Sequence, residues 1–316
     1  KAKEISSWRS AGGLYITAVQ NQNHTQMPSG RDIPLLLLGV IGIGTSGPVI
    51  ALSAMPIITL IFWRNLGGAL IMAPFALRNG QWLKSENRRG LAWSMAAGFV
   101  LALHFIGFFI AMRYTTVAAG TALTALQPIF AAYFVKKLGG HIPRRAWIGM
   151  VISFIGVLII TGVDFQISTR AFIGDIAAII CAALAALYVL LGSKAQQTLA
   201  TSTYTTLCYL TCSLTALPIA LISGVQLMGF EAKQWWLLLA LILGAQILGH
   251  TMFNFSLKRV SPAIVSLIVF FEVPVGALLA FWWLDQLPPL GTVPGLILLL
   301  AGCAIFVMRS KDGEKG

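Results

Sequence analysis

His104-Phe-Ile-Gly-Phe-Phe-Ile-Ala-Met-Arg113, laid on His250-Thr-Met-Phe-Asn-Phe-Ser-Leu-Lys-Arg259, opens a correspondence that decides how the chain is built. It runs without a gap from 104–162 to 250–308, at a constant offset of 146 residues. Ten of the 59 pairs are identical, and six of those are His104/His250, Arg113/Arg259, Pro128/Pro274, Pro143/Pro289, Gly149/Gly295 and Gly156/Gly302. Chance does not favour His, Arg, Pro or Gly in an apolar chain, so the correspondence reads as an internal duplication. Duplicated halves are a recurring build of membrane transporters.

Composition agrees. Apolar residues make up 57% of the chain and charged residues 10%, whereas an ordinary soluble domain carries about 25% charged residues. Crossing the hydrocarbon takes about 20 apolar residues. The charge-poor stretches then divide into ten expected spans, near 33–52, 57–77, 90–112, 116–135, 146–163, 173–193, 203–223, 234–256, 262–283 and 289–308. The fold class expected is an all-α, polytopic membrane protein of ten transmembrane helices. Its parts are an N-terminal segment 1–32, five-helix repeats 33–163 and 173–308, and a tail 309–316.

The net charge of +12 needs no nucleic acid to explain it. With both termini in the cytoplasm, inner segments hold 18 Lys and Arg and outer loops hold three, Arg113, Arg170 and Lys233. That asymmetry is the positive-inside rule, and it orients the chain in a bacterial inner membrane. Residues 1–32 are polar and precede or include Met27, which suggests a natural start at Met27 or a leader partly foreign to the protein. No cleavable signal peptide is visible, because the first apolar run is a full span.

Five spans per half is an odd number, so the halves enter the membrane in opposite orientation. Inverted repeats allow alternating access around a site near the midplane. Four cysteines fall inside spans without disulfide or zinc spacing, and no Gly-rich phosphate loop is present. No cofactor, metal or enzymatic activity is expected, and transport must draw on gradients.

Two signatures then resemble a known family. Phe109-Ile-Ala-Met-Arg-Tyr-Thr-Thr-Val-Ala-Ala-Gly-Thr-Ala-Leu-Thr-Ala-Leu-Gln-Pro128 and Ser256-Leu-Lys-Arg-Val-Ser-Pro-Ala-Ile-Val-Ser-Leu-Ile-Val-Phe-Phe-Glu-Val-Pro274 resemble the paired motifs of the drug/metabolite transporter superfamily, EamA-type branch. Gly42-Ile-Gly-Thr-Ser46, Arg64 and Gly174-Asp175 add to the resemblance, which covers about 33–308. Gly139-Gly140-His141 departs from the Gly-Glu pair usual after the fourth span, while Asp285 keeps an acid near the matching place. Within the branch the overall pattern is similar to exporters of amino acids, including aromatic amino-acid exporters of the YddG type. The resemblance implies a membrane-embedded exporter with a small-molecule substrate.

Ionisable residues inside spans cost about 2.5–3.5 kcal/mol each on insertion scales, so they face protein or a water-filled cavity. His104 and Phe108 stand one helical turn apart on the third span, as do their mates His250 and Asn254 on the eighth. Gln127 and Glu272 sit beside Pro128 and Pro274, where a freed carbonyl lets a polar side chain line a gap. Tyr188 offers a phenol for stacking and hydrogen bonding. Arg64 offers either an anchor for a substrate carboxylate or a clamp on carbonyls. These eight residues are the candidate substrate site, with the histidines or Glu272 as possible proton carriers.

The function expected is secondary-active export of small metabolites, amino acids above all. The alternatives are export of cationic drugs, nucleosides or sugars. Gly44-Thr45-Ser46-Gly47 with His250 also matches, cheaply, a rhomboid-type intramembrane serine protease.

Overall fold

A computed structural model describes residues 30, 32–137, 144–256 and 271–307. Every described element is helical. The helices are α1 (Asp32–Gly44), α2 (Ser46–Leu52), α3 (Ile57–Asn79), α4 (Arg88–Tyr114), α5 (Val117–Thr124), α6 (Gln127–Lys137) and α7 (Arg144–Ile167). They continue as α8 (Thr169–Ala195), α9 (Thr201–Ile222), α10 (Ala232–Ala240), a π-helical segment Leu241–Thr251, α11 (Met252–Ser256), α12 (Glu272–Leu284) and α13 (Val293–Val307).

Seven stretches are long and apolar enough to cross a membrane: Ile33–Leu52, Ile57–Asn79, Ser85–Tyr114, Trp147–Ile167, Thr169–Gly192, Thr201–Ile222 and Ala232–Ser256. Three shorter apolar helices, Val117–Ala131, Glu272–Leu284 and Leu290–Ile305, complete the described set. The expected ninth span, 262–283, lies partly outside the described residues, as do 1–29 and 308–316.

Local chemistry explains where helices stop. Thr116 and Ser168 cap α5 and α8, their hydroxyls accepting from the amides of Ala119 and Arg170 at 3.1 Å each. Gly80 closes α3 in the left-handed region at φ 58°, where a Cβ would be strained. Asp285 closes α12 at φ 52°, a conformation that Asp tolerates better than most side chains.

Residues 125–126 interrupt the path between α5 and α6 ahead of Pro128. Proline lacks the amide that would bond back into the preceding turn, which is why the helix restarts there. The offset mate of Pro128, Pro274, lies in the first turn of α12.

Packing relies on small residues, because lipid offers no hydrophobic drive to bring helices together. A Cβ on Gly156 would stand 2.6 Å from the Gly295 carbonyl oxygen, and one on Gly302 would stand 2.6 Å from that of Gly149. These are the offset mates Gly149/Gly295 and Gly156/Gly302, each crossing to the other's partner. As numbers rise along α7 they fall along α13, so the two helices run antiparallel. Gly42, in turn, approaches the Gly244 carbonyl so closely that an added Cβ would lie 2.7 Å from it. The core between the helices holds Phe105, Phe109, Tyr204 and Tyr209, each 1% exposed or less. The outer faces expose Leu37, Ile41, Leu70, Leu221 and Ile222, as a lipid-facing surface requires. Trp147, Trp236, Trp282 and Trp283 are exposed near helix ends, in keeping with interfacial belts.

Candidate functional site

α3 carries Arg64 into the middle of the bundle, where it is 0% exposed. Its Nε donates to Oε1 of Gln246 at 2.6 Å, and Gln246 Nε2 donates to Oδ1 of Asn65 at 3.3 Å. Asn65 Nδ2 completes the chain on the Ile61 carbonyl at 2.8 Å. The guanidinium lies 4.3 Å from the Phe105 ring centroid and 5.9 Å from that of Phe109. An arginine over a ring gains a cation–π attraction that strengthens when water is excluded. Both terminal nitrogens, Nη1 and Nη2, are buried and have no hydrogen-bond partner among the described residues. Glu272 is within electrostatic range of this cation, yet no described ion pair joins them. The clamp on backbone carbonyls weighed above is therefore absent among the described residues, and a side-chain amide holds Arg64 instead.

His104, on α4, bonds through Nδ1 to the Cys181 carbonyl of α8 at 3.0 Å, which requires the proton on Nδ1. Its ring stacks on Phe108, with centroids 6.2 Å apart and planes at 16°. Phe105 stands between the two candidate histidines, 5.2 Å from His104 and 6.1 Å from His250. The pair thus shares one aromatic wall. For His104 this is the arrangement of a buried histidine tied to a neighbouring helix, and His250 has no hydrogen bond among the described residues.

Tyr188, buried on α8, lies within reach of Tyr204 of α9 and Asn254 of α11. Tyr209 meets Thr251 hydroxyl to hydroxyl at 3.3 Å. The π-helical segment positions Gln246 and His250 on this wall, and the Thr251 hydroxyl donates back five residues to the Gln246 carbonyl at 2.9 Å. A widened turn of this kind costs hydrogen-bond quality and recurs at functional sites. An added Cβ would stand 2.9 Å from the Thr45 hydroxyl at Gly244 and 3.1 Å from Ile43 of α1 at Gly249, so neither position has room for a side chain.

Of the eight sequence candidates, Arg64, His104, Phe108, Tyr188, His250 and Asn254 are joined through these contacts, and Glu272 opens α12 within range of Arg64. Gln127 opens α6, half-buried, with no side-chain hydrogen bond among the described residues. Sequence reasoning missed Gln246, Tyr204 and Tyr209. Gln246 lies four residues ahead of the duplicated stretch, so the repeat did not point to it. Two further aromatics within spans, Trp63 and Phe253, are committed elsewhere: Trp63 Nε1 donates to the Leu227 carbonyl at 2.8 Å, and the Phe253 ring packs on Gly39. No described hydrogen bond joins Ser46 to His250.

A cavity of about 630 Å³ opens at the end of the bundle that carries Arg113. Arg113, Thr115, Arg170, Asp285 and Gln286 supply its polar lining. Arg113 Nη2 is tied to the Ser53 carbonyl at 2.8 Å and to the Met55 carbonyl at 2.5 Å, fixing the link between α2 and α3.

Comparison with known proteins follows this geometry. An uncharacterised transporter of Archaeoglobus fulgidus is 26% identical over 269 residues, covering 84% of this chain and 92% of its own. The pseudopaline exporter CntI of Pseudomonas aeruginosa is 23% identical over 266 residues, covering 83% and 90%. The Bacillus subtilis uncharacterised transporter YxxF is 24% identical over 265 residues, covering 81% and 82%. A solved crystal structure at 17% identity superposes with a TM-score of 0.61 over 87% of this chain and 96% of its own, a likeness of fold. The model of the EamA-like transporter family matches twice, at residues 31–162 and again at 172–308. The chain is a polytopic, all-helical membrane protein that belongs to the EamA-like transporter family.

Proposed function

We propose that the chain is a secondary-active exporter of small metabolites bearing a carboxylate, amino acids foremost, working by alternating access across a bacterial inner membrane. The observation that carries this reading is Arg64. A guanidinium wholly buried, braced at Nε by Gln246 and walled by Phe105, keeps two terminal nitrogens without partners among the described residues. Planar bidentate recognition of a carboxylate uses such a fork. The surrounding rings of Phe105, Phe108, His104, His250 and Tyr188 suit an organic side chain, and Asn254, Gln127 and Glu272 are the polar groups we assign to its amino group. A buried cation without an ion-pair partner among the described residues repels cationic drugs and offers nothing particular to an uncharged sugar or nucleoside. That one relative is named as an exporter of pseudopaline fits export of a small molecule.

The alternating-access part rests on pseudo-symmetry. Residues 33–163 and 173–308 form two five-helix halves of opposite orientation, giving ten spans with both termini in the cytoplasm. The twofold match of the family model and the antiparallel Gly149–Gly156 and Gly295–Gly302 crossing support this arrangement. Pro74 and Pro218 add to it, since each lies 17 residues beyond the start of its helix, α3 from Ile57 and α9 from Thr201. The test is counterflow of a radiolabelled amino-acid panel in proteoliposomes. Saturable, competed uptake supports the exporter and names its substrates. No counterflow from folded protein for any amino acid removes the amino-acid assignment.

A further inference from the structure

A pair of buried acids lies away from Arg64, behind the cavity lined by Arg113 and Arg170. Asp164, near the end of α7, is 2% exposed, and Asp175, in the second turn of α8, is 0% exposed. The Thr115 hydroxyl, between α4 and α5, donates its one proton to Asp164 Oδ2 at 2.8 Å. The two carboxyl groups lie within electrostatic range of each other, and Gly174, the neighbour of Asp175, packs on Thr115. Neither oxygen of Asp175 meets an ordinary donor among the described residues. Gly174 holds α8 against this junction, since a Cβ there would stand 2.8 Å from the Thr115 amide nitrogen.

Two adjacent buried acids without a counter-ion cannot both be anionic, because like charges at short range in a dry interior repel strongly. The facing charges give no relief. On α4, Arg113 spends Nη2 on the Ser53 and Met55 carbonyls. On α8, Arg170 is exposed, lies over the Tyr114 ring at 4.6 Å, and reaches the Arg113 carbonyl at 3.4 Å. Neither arginine forms an ion pair with Asp164 or Asp175, for the one described ion pair is Lys84–Glu86. Among the described residues, α5, α13 and the Leu290–Thr292 turn bring no ionisable side chain to the pair. Asp285 lines the far side of the cavity.

We propose that Asp164 and Asp175 form a single proton-binding site, loaded from the Arg113 cavity past Thr115, which couples proton movement to the helices of the substrate site. One proton from cavity water binds one carboxylate oxygen, and the resulting O–H donates to the other carboxylate. No other bond changes. Thr115 lines the cavity and touches the pair, so it marks the route. Losing the proton leaves two like charges between α7 and α8, and α8 is also the helix of Cys181 and Tyr188. The coupling role rests on the exporter reading, whereas the proton site does not.

The test therefore uses the full-length protein without substrate. Infrared spectra of protein labelled with 13C-aspartate are compared with unlabelled protein at neutral pH. The expected result is a protonated carboxylic-acid band that shifts with the aspartate label and disappears at alkaline pH. The same band should vanish in both Asp164→Asn and Asp175→Asn and persist in Glu272→Gln. A spectrum with no label-sensitive acid band, or a band that survives in both aspartate variants, overturns the proposal. The labelled wild type alone decides the matter should a variant fail to fold. A band seen in protein without counterflow would keep the proton site and remove only its link to export.

Discussion

Arg64 and Gln246 stand 182 positions apart in sequence and meet at 2.6 Å, the one described hydrogen bond the buried guanidinium makes. Hydrogen bonds to charged groups contribute about 1.5–3 kcal/mol, which is roughly 10- to 100-fold in an equilibrium constant. Gln246→Leu removes the brace, keeps the volume and strands Nε. Substrate affinity measured by competition counterflow is expected to fall by about that factor, while Asn65→Ala, one bond further out, has the smaller effect.

The crossing of α7 and α13 predicts a clean contrast between two glycines of one helix. A side chain at Gly156 collides with the Gly295 carbonyl and Leu299 backbone, whereas Gly162 has nothing within 4 Å of an added Cβ. Overpacking costs about 1–3 kcal/mol. Gly156→Ala is expected to lower the melting temperature in detergent, and Gly162→Ala to leave it unchanged or slightly raised.

Tyr188 of α8 and Asn254 of α11 lie within reach of one another. Removing one partner of a buried pair leaves the other unsatisfied, at about 1–3 kcal/mol. Tyr188→Phe and Asn254→Ala should each raise the apparent KM, and the double variant should be less impaired than the sum of the two. Additive effects would mean that the contact carries no coupling.

At the first span, Gly42→Ala pushes a methyl group onto the Gly244 carbonyl and the Gly249 amide nitrogen, at 2.7 and 2.9 Å. Backbone cannot yield as a side-chain tip does, so α1 and the π-helical segment must separate. The expected outcome is loss of transport together with faster amide exchange over Leu241–Thr251, read by hydrogen-exchange mass spectrometry.

The membrane class and the duplication were readable in the sequence, because long apolar runs and paired His, Pro and Gly positions are signals that need no structure. The offset and the spacing singled out His104, Phe108, His250 and Asn254, and the cost of burying a charge singled out Arg64. What stayed hidden depends on contacts distant in sequence. Gln246 lies four residues ahead of the duplicated stretch, so the repeat did not point to it. The π-helical turn has no pattern of its own; Gly244 and Gly249 mark it only once α1 lies against them. Asp164 falls one residue beyond the assigned fifth span, and only packing against Thr115 and Asp175 makes it part of a cluster.

The central claim is that Arg64 receives a substrate carboxylate. It is tested most directly by counterflow of a transported radiolabelled amino acid, competed by the same amino acid and by its carboxamide, in wild type and Arg64→Gln. The account predicts that the free acid competes and the carboxamide does not, and that Arg64→Gln abolishes uptake while retaining the wild-type elution profile. Equal competition by acid and carboxamide in the wild type, or full uptake by Arg64→Gln, would contradict it.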